Sequence, residues 1–90
     1  MQQSEGNVFQ DLGFRPEESE NLRVRADLMI ELRRLIECKK WTQAAAARIM
    51  GVSQPRISDL VRGKIDRFSI DSLVVMLGRT GVRIRLTVTD

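Results

Sequence analysis

The sequence predicts a single, mostly α-helical domain of four to five helices that closes with one β-strand. Three observations carry this reading. Apolar residues recur at helical spacing in successive runs between residues 16 and 81, and capping residues or a proline open those runs. Glycines at 51, 63, 78 and 81 fall where the runs stop. The last ten residues, GVRIRLTVTD, change period. There Val82, Ile84, Leu86 and Val88 alternate with Arg83, Arg85, Thr87 and Thr89, the period of two of a half-buried strand.

Each element has its own signal. Residues 1–15 form an acidic and apolar N-terminal segment, expected to be partly disordered. Within it VFQDLGF, with Val8, Phe9, Leu12 and Phe14, could make one helical turn or an extended patch. Residues 16–81 are the helical domain. Pro16 suits a first helical turn, and Glu17, Glu18 and Glu20 suit the positive end of the helix dipole. Leu22, Leu28, Met29, Leu32, Leu35 and Ile36 then continue a first helix over about 17–39, with Lys39 and Lys40 at its negative end. Trp41-Thr42 breaks it, and Thr42 caps a second helix that stops at Gly51. Ser53 caps a third, Gln54–Arg62, ended by Gly63. Ser69 caps a fourth, in which Phe68 and Leu73 fit a hydrophobic staple. Leu73, Val74 and Leu77 are its inward residues, and Gly78 and Gly81 end it. Residues 82–90 are the strand.

Composition narrows the function. No apolar run in the 90 residues approaches membrane-spanning length, and the polar, acidic start does not resemble a secretory signal. The single cysteine, Cys38, cannot form an internal disulfide or hold a metal alone, and reads as a small core or surface residue. With no histidine, neither a zinc site nor a Ser-His or Cys-His catalytic pair is expected, so we expect no enzyme, no metal and no cofactor. A reducing cytoplasm is the expected compartment. The net charge of +3 is unevenly spread. Residues 1–20 carry five acids and one base, a net of −4, whereas residues 21–90 carry fourteen bases and seven acids, a net of +7. A basic domain can be merely soluble. Beside a groove-reading motif, the same charge is the footprint of a nucleic-acid binder.

That motif lies in TQAAAARIMGVSQPRISDL, residues 42–60. Two short helices that cross closely need a small residue at the crossing, which Ala47 supplies. The corner needs a left-handed residue, and Gly51 follows four positions later. Val52 fills the crevice of the turn, and Ile57 and Leu60 anchor the third helix. Small, Gly and three apolar residues at these offsets make a helix-turn-helix; a plain helical hairpin with Gly51 as a C-cap is the competing reading. The outward face of the third helix carries Pro55, Ser58, Asp59 and Arg62, flanked by Gln54 and Arg56. Gln43 and Gln54 open the two helices, where amides meet phosphates and base edges.

The segment WTQAAAARIMGVSQPRISDLVRGK resembles the Cro/C1-type (XRE) helix-turn-helix regulators, with the lambda repressor-like fold. Together with NVFQDLGF and FSIDSL…GVRIRLTV, it is similar to the small one-domain HigA-like antitoxins encoded beside RelE/HigB-like toxins. The resemblance spans the chain from Asn7. It implies a sequence-specific repressor of palindromic double-stranded DNA, a RelE/HigB-like toxin as a second partner, and no membrane association. A stand-alone phage-like or housekeeping regulator is the alternative.

The resemblance also assigns roles. Gln54 matches the glutamine that opens the recognition helix; it would read adenine N6 and N7, with phosphate as the other option. Gln43 matches a phosphate-clamping glutamine. Ser53, at the start of the recognition helix, and Lys64, after Gly63, belong to the same DNA-binding set. Arg56 and Arg62 offer guanine or phosphate contacts. Pro55 can touch a thymine methyl or simply stiffen the first turn. Ser58 is small enough for close approach. Asp59 can accept from cytosine N4 or pair with Arg56 and Arg62 on the surface. Trp41 packs on the helix junction or stacks on a base. Arg33, Arg34 and Glu37 read as a solvated face. A lone strand needs a partner, and the simplest is its own copy, so Val82, Ile84, Leu86 and Val88 are expected at a homodimer interface.

Overall fold

A computed structural model describes residues 15–90. The VFQDLGF patch, and residues 1–14 of the expected N-terminal segment, lie outside the described residues. Four helices follow in order: α1 (Pro16–Lys39), α2 (Gln43–Met50), α3 (Gln54–Val61) and α4 (Ile70–Arg79). A short 3-10 turn, Ile65–Arg67, stands between α3 and α4 and was not foreseen.

The helix starts obey their local chemistry. Pro16 opens α1, and the Glu18 carboxylate turns back to accept from the Arg15 backbone N–H at 2.9 Å. Thr42 Oγ1 accepts from Ala45 N at 3.1 Å, capping α2. Ser69 and Ser72 satisfy each other's backbone N–H groups at the head of α4, at 3.1 Å each. Ser53 departs from expectation. It holds the N-cap backbone position of α3, but its side chain makes no cap bond. Its carbonyl receives Arg56 N and Ile57 N instead.

Two helix ends also differ. Lys40, not the Trp41-Thr42 pair, terminates α1, adopting the left-handed conformation at φ 55°. Trp41 N then donates back to Ile36 O at 3.1 Å, closing the carbonyl end. Gly78 lies inside α4. The helix ends one residue past it, where Thr80 donates its hydroxyl to Leu77 O at 2.6 Å.

All four helices feed one core. Met29, Leu32 and Ile36 of α1 meet Ala46, Ala47 and Met50 of α2, Ile57 and Leu60 of α3, and Leu73, Met76 and Leu77 of α4. Phe68 is buried beside them, so both halves of the expected staple lie in the core. Full burial of each larger side chain contributes about 1.5–3 kcal/mol. Val74, expected inside, is 39% exposed, and Met76 occupies the core in its place. At about 100° per residue, Met76 lies about 60° to one side of Leu73 and Leu77 about 40° to the other, whereas Val74 lies about 100° off. Leu28, Trp41, Val52 and Ile65 cover the edges of the core. Trp41 therefore packs on the helix junction.

Among the described residues no β-strand forms within the single chain, and residues 82–90 are exposed throughout. Val82 and Ile84 face a groove along α1 with Leu28, Leu35 and Leu77. Leu86 and Val88 stand in solvent, at 82% and 85% exposure. No described helix is long and apolar enough to cross a membrane.

Candidate nucleic-acid interface

The corner between α2 and α3 is built on Gly51, at φ 73° and ψ 32°. Its N–H and that of Val52 both donate to Ala47 O, which ends α2 and redirects the chain. A side chain here would meet two obstacles. The left-handed backbone disfavours any Cβ, and a Cβ would run into the Arg79 guanidinium. Ala47 is 6% exposed at the crossing and Val52 is half-buried over the core, while Ile57 and Leu60 are fully buried below. Ala47, Val52, Ile57 and Leu60 thus line the buried side of the corner that Gly51 turns.

Burying Ile57 and Leu60 turns the opposite side of α3 to solvent. Gln54, Pro55 and Arg62 are exposed there and Ser58 is half-buried. Pro55 occupies the first turn, where its missing N–H costs nothing. Arg62 is the C-cap residue rather than part of the helix, and Gly63, at φ 75°, turns the chain onward. Gln43, at the head of α2, is exposed, as is Ser53 at the head of α3. Lys64 is half-buried beyond the C-terminal end of α3.

A model of the helix-turn-helix domain matches residues 8–89. The chain belongs to the helix-turn-helix family. Among solved structures it is similar to a chain described as an XRE family transcriptional regulator, at 26% identity and a TM-score of 0.73. The match covers 80% of this chain and 81% of that one, which makes the family resemblance XRE-type. No curated protein matches the chain.

Two residues expected on the recognition face of this helix-turn-helix protein are turned to other work. Arg56 donates through Nη1 to Arg67 O at 2.6 Å, and its guanidinium lies 4.4 Å from the centre of the Phe68 ring. It braces the loop after α3. Asp59 pairs with neither Arg56 nor Arg62. Its carboxylate meets Arg67 Nη1 at 3.3 Å and Lys64 Nζ at 4.0 Å. The reason is rotation: Arg56 and Asp59 sit on the flank of α3 that faces the following loop.

Sequence reasoning missed two members of this arrangement. Arg25 of α1 accepts no solvated role; its Nη1 donates to Ile65 O at 3.1 Å and Phe68 O at 3.4 Å, and its Nε to Asn21 Oδ1 at 2.7 Å. Arg67 reaches Asp59 only because the 3-10 turn folds the loop back. The Asn21–Arg25 spacing of four was a readable signal for helical pairing; the loop contacts had none. Elsewhere on α1, Arg34 pairs with Glu31 at 3.1 Å on the solvated face. Arg23 bridges Glu20 and Asp27, and its hydrogen bond holds the Glu20 carboxyl below its ordinary value. Cys38 is exposed.

Proposed function

We infer that this chain is a DNA-binding transcriptional regulator that reads a palindromic operator as a homodimer. The observation that carries the inference is the polar face of α3, presented outward by the Gly51 corner on a unit whose residues 21–90 carry a net +7. The XRE-type family supports the same reading. In the proposed complex α3 lies in the major groove. Gln54 reads a base edge, Ser58 and Pro55 allow close approach, and Arg62 contacts guanine or phosphate. Gln43, Ser53 and Lys64 hold the backbone. Arg56 supports the interface from behind. The chain works in the cytoplasm without metal or cofactor, and we assign it no catalysis.

Residues 82–90 complete the dimer. Val82, Ile84, Leu86 and Val88 pair as an antiparallel ribbon with the same segment of a second copy, around a two-fold axis. That axis sets two α3 helices on successive major grooves about 34 Å apart. Residues 1–14 are assigned a role other than DNA contact. Their acidity and apolar VFQDLGF patch favour a cationic protein partner, and the resemblance to HigA-like antitoxins supports a RelE/HigB-like toxin in that role.

Selection of bound duplexes from a random pool tests the DNA reading, followed by Gln54→Ala and Gln43→Ala on the selected operator. Gln54→Ala is expected to cost about 1–3 kcal/mol at one base pair and to relax preference there. Gln43→Ala is expected to weaken every duplex alike. Equal losses on all sequences for Gln54→Ala would remove its base-reading role. Deleting residues 1–14 is expected to spare operator binding and to release a RelE/HigB-like toxin from the neighbouring reading frame. A regulator without such a neighbour would be the stand-alone kind.

A further inference from the structure

Asp59 has a side chain only 18% exposed, set between the outward face of α3 and the loop beyond it. Its two oxygens face different cations. Oδ2 accepts from Arg67 Nη1 at 3.3 Å, and Oδ1 lies 4.0 Å from Lys64 Nζ. Both cations belong to the loop, and other bonds pin that loop. Arg56 Nη1 reaches Arg67 O, Arg25 Nη1 reaches Ile65 O and Phe68 O, and Lys64 N donates to Asp59 O at 3.0 Å. The path of the backbone therefore has four ties besides the carboxylate. What the carboxylate adds is control over two positive charges: their direction and their net attraction.

We propose that Asp59 is a specificity-determining residue that restrains the phosphate attraction of Arg67 and Lys64, rather than a reader of a base. The proposal rests on the DNA-binding reading above. Affinity for arbitrary DNA is almost wholly the attraction of cations to phosphates. A carboxylate within ion-pair distance of two cations competes with those phosphates and repels them as well. Every register of arbitrary DNA meets that opposition. On the operator, base contacts fix one register, and Arg67 needs to serve one phosphate only. A guanidinium has five N–H donors, so Arg67 can keep its bond to Asp59 and turn others to that phosphate. Its direction is then set before binding, which offsets the repulsion. Arbitrary DNA bears the repulsion without that compensation, so Asp59 widens the gap between the two.

The test uses the full chain, with the selected operator duplex and a shuffled duplex titrated over a range of salt. Asp59→Asn keeps the shape and removes the charge. Its affinity for the shuffled duplex is expected to rise about two- to fivefold, the range one exposed ion pair can supply. The salt dependence on that duplex should steepen by up to about one phosphate. Operator affinity should change by less than about twofold, a smaller change than the ion-pair range allows. Asp59→Glu keeps the charge and should retain the wild-type salt dependence. Equal changes on both duplexes, or a loss confined to one operator base pair, would overturn the proposal. Should Asp59→Asn fail to fold, Arg67→Gln replaces it. A fall on the operator with little change on the shuffled duplex supports the restraint, and an equal fall on both overturns it. Wild-type protein that binds neither duplex would instead overturn the DNA-binding reading itself, before any variant is compared.

Discussion

Between residues 42 and 61 the apolar positions chosen by spacing find cover: Ala47 is 6% exposed, and Ile57 and Leu60 are closed to solvent. Between residues 82 and 88 an equally regular pattern leaves Leu86 at 82% and Val88 at 85%. The two regions differ in what a single chain can supply. A helix satisfies its backbone internally and needs only a neighbouring face, which α1 and α4 provide. A strand must find another strand for its N–H and C=O groups, and among the described residues none stands beside it. Regular patterning thus identifies an element's requirement, and the fold shows whether the same chain meets it.

The largest test of that contrast sets Leu60→Ala against Leu86→Ala in urea melts at low protein concentration. Leu60→Ala opens a cavity in the core and is expected to cost about 2–5 kcal/mol. Leu86→Ala should stay within about 0.5 kcal/mol, since its side chain is already in water. Comparable losses would mean that residues 82–88 are already packed in the lone chain. The roles reverse for assembly. Truncation after Gly81, or Ile84→Asp with Leu86→Asp, should leave the helical spectrum intact while sedimentation shows monomers. Operator affinity should then fall about a hundredfold, because the two half-sites no longer share one particle. A truncated chain that stays dimeric at micromolar concentration would move the interface elsewhere, the exposed Val74 and Val75 of α4 being the next apolar surface.

A smaller effect is expected at the corner. Gly51→Ala forces a Cβ into the left-handed region and toward the Arg79 guanidinium. The backbone term is about 1–2 kcal/mol, and Arg79 can swing away at little further cost. Gly51→Ala with Arg79→Ala in a double-mutant cycle separates the two. A coupling near zero would show that Arg79 only rests over the corner, leaving the backbone as the whole reason for glycine.

What could be read in the sequence follows from how local its cause is. Thr42, Gly51 and Ser69 act within four residues of themselves, so spacing revealed them. Pro16 did the same for α1. Lys40 was hidden because a lysine in the left-handed region has no compositional mark; the chain takes that conformation to seat Trp41 against the core. Arg56 and Asp59 were hidden for another reason. Spacing placed them on α3 correctly, but their partners Arg67, Phe68 and Lys64 come from a loop whose 3-10 turn nothing in its composition announced. The polar outward face of α3 was legible as a surface, and its division into outward residues and loop braces was not.

The smallest test stays on α1, far from packing. Arg23 donates to the Glu20 carboxylate at 2.5 Å and 3.2 Å, and that bond chiefly lowers the Glu20 pKa from its ordinary 4.5. A carboxyl lowered in the folded state binds protons more readily when unfolded, so its contribution is present above pH 4.5 and fades as pH falls through the lower folded value. Glu20 is fully exposed, so solvent and salt screen the pair and the contribution is slight. Glu20→Gln should therefore melt just below the wild type at pH 7, and the two curves should converge as the pH falls well below 4.5. Raising the salt at pH 7 should narrow the same gap. A difference that persists undiminished at pH 3 would mean that Glu20 acts through its fit on the helix surface rather than its charge, and that α1 depends on its solvent face more than the buried Met29, Leu32 and Ile36 suggest.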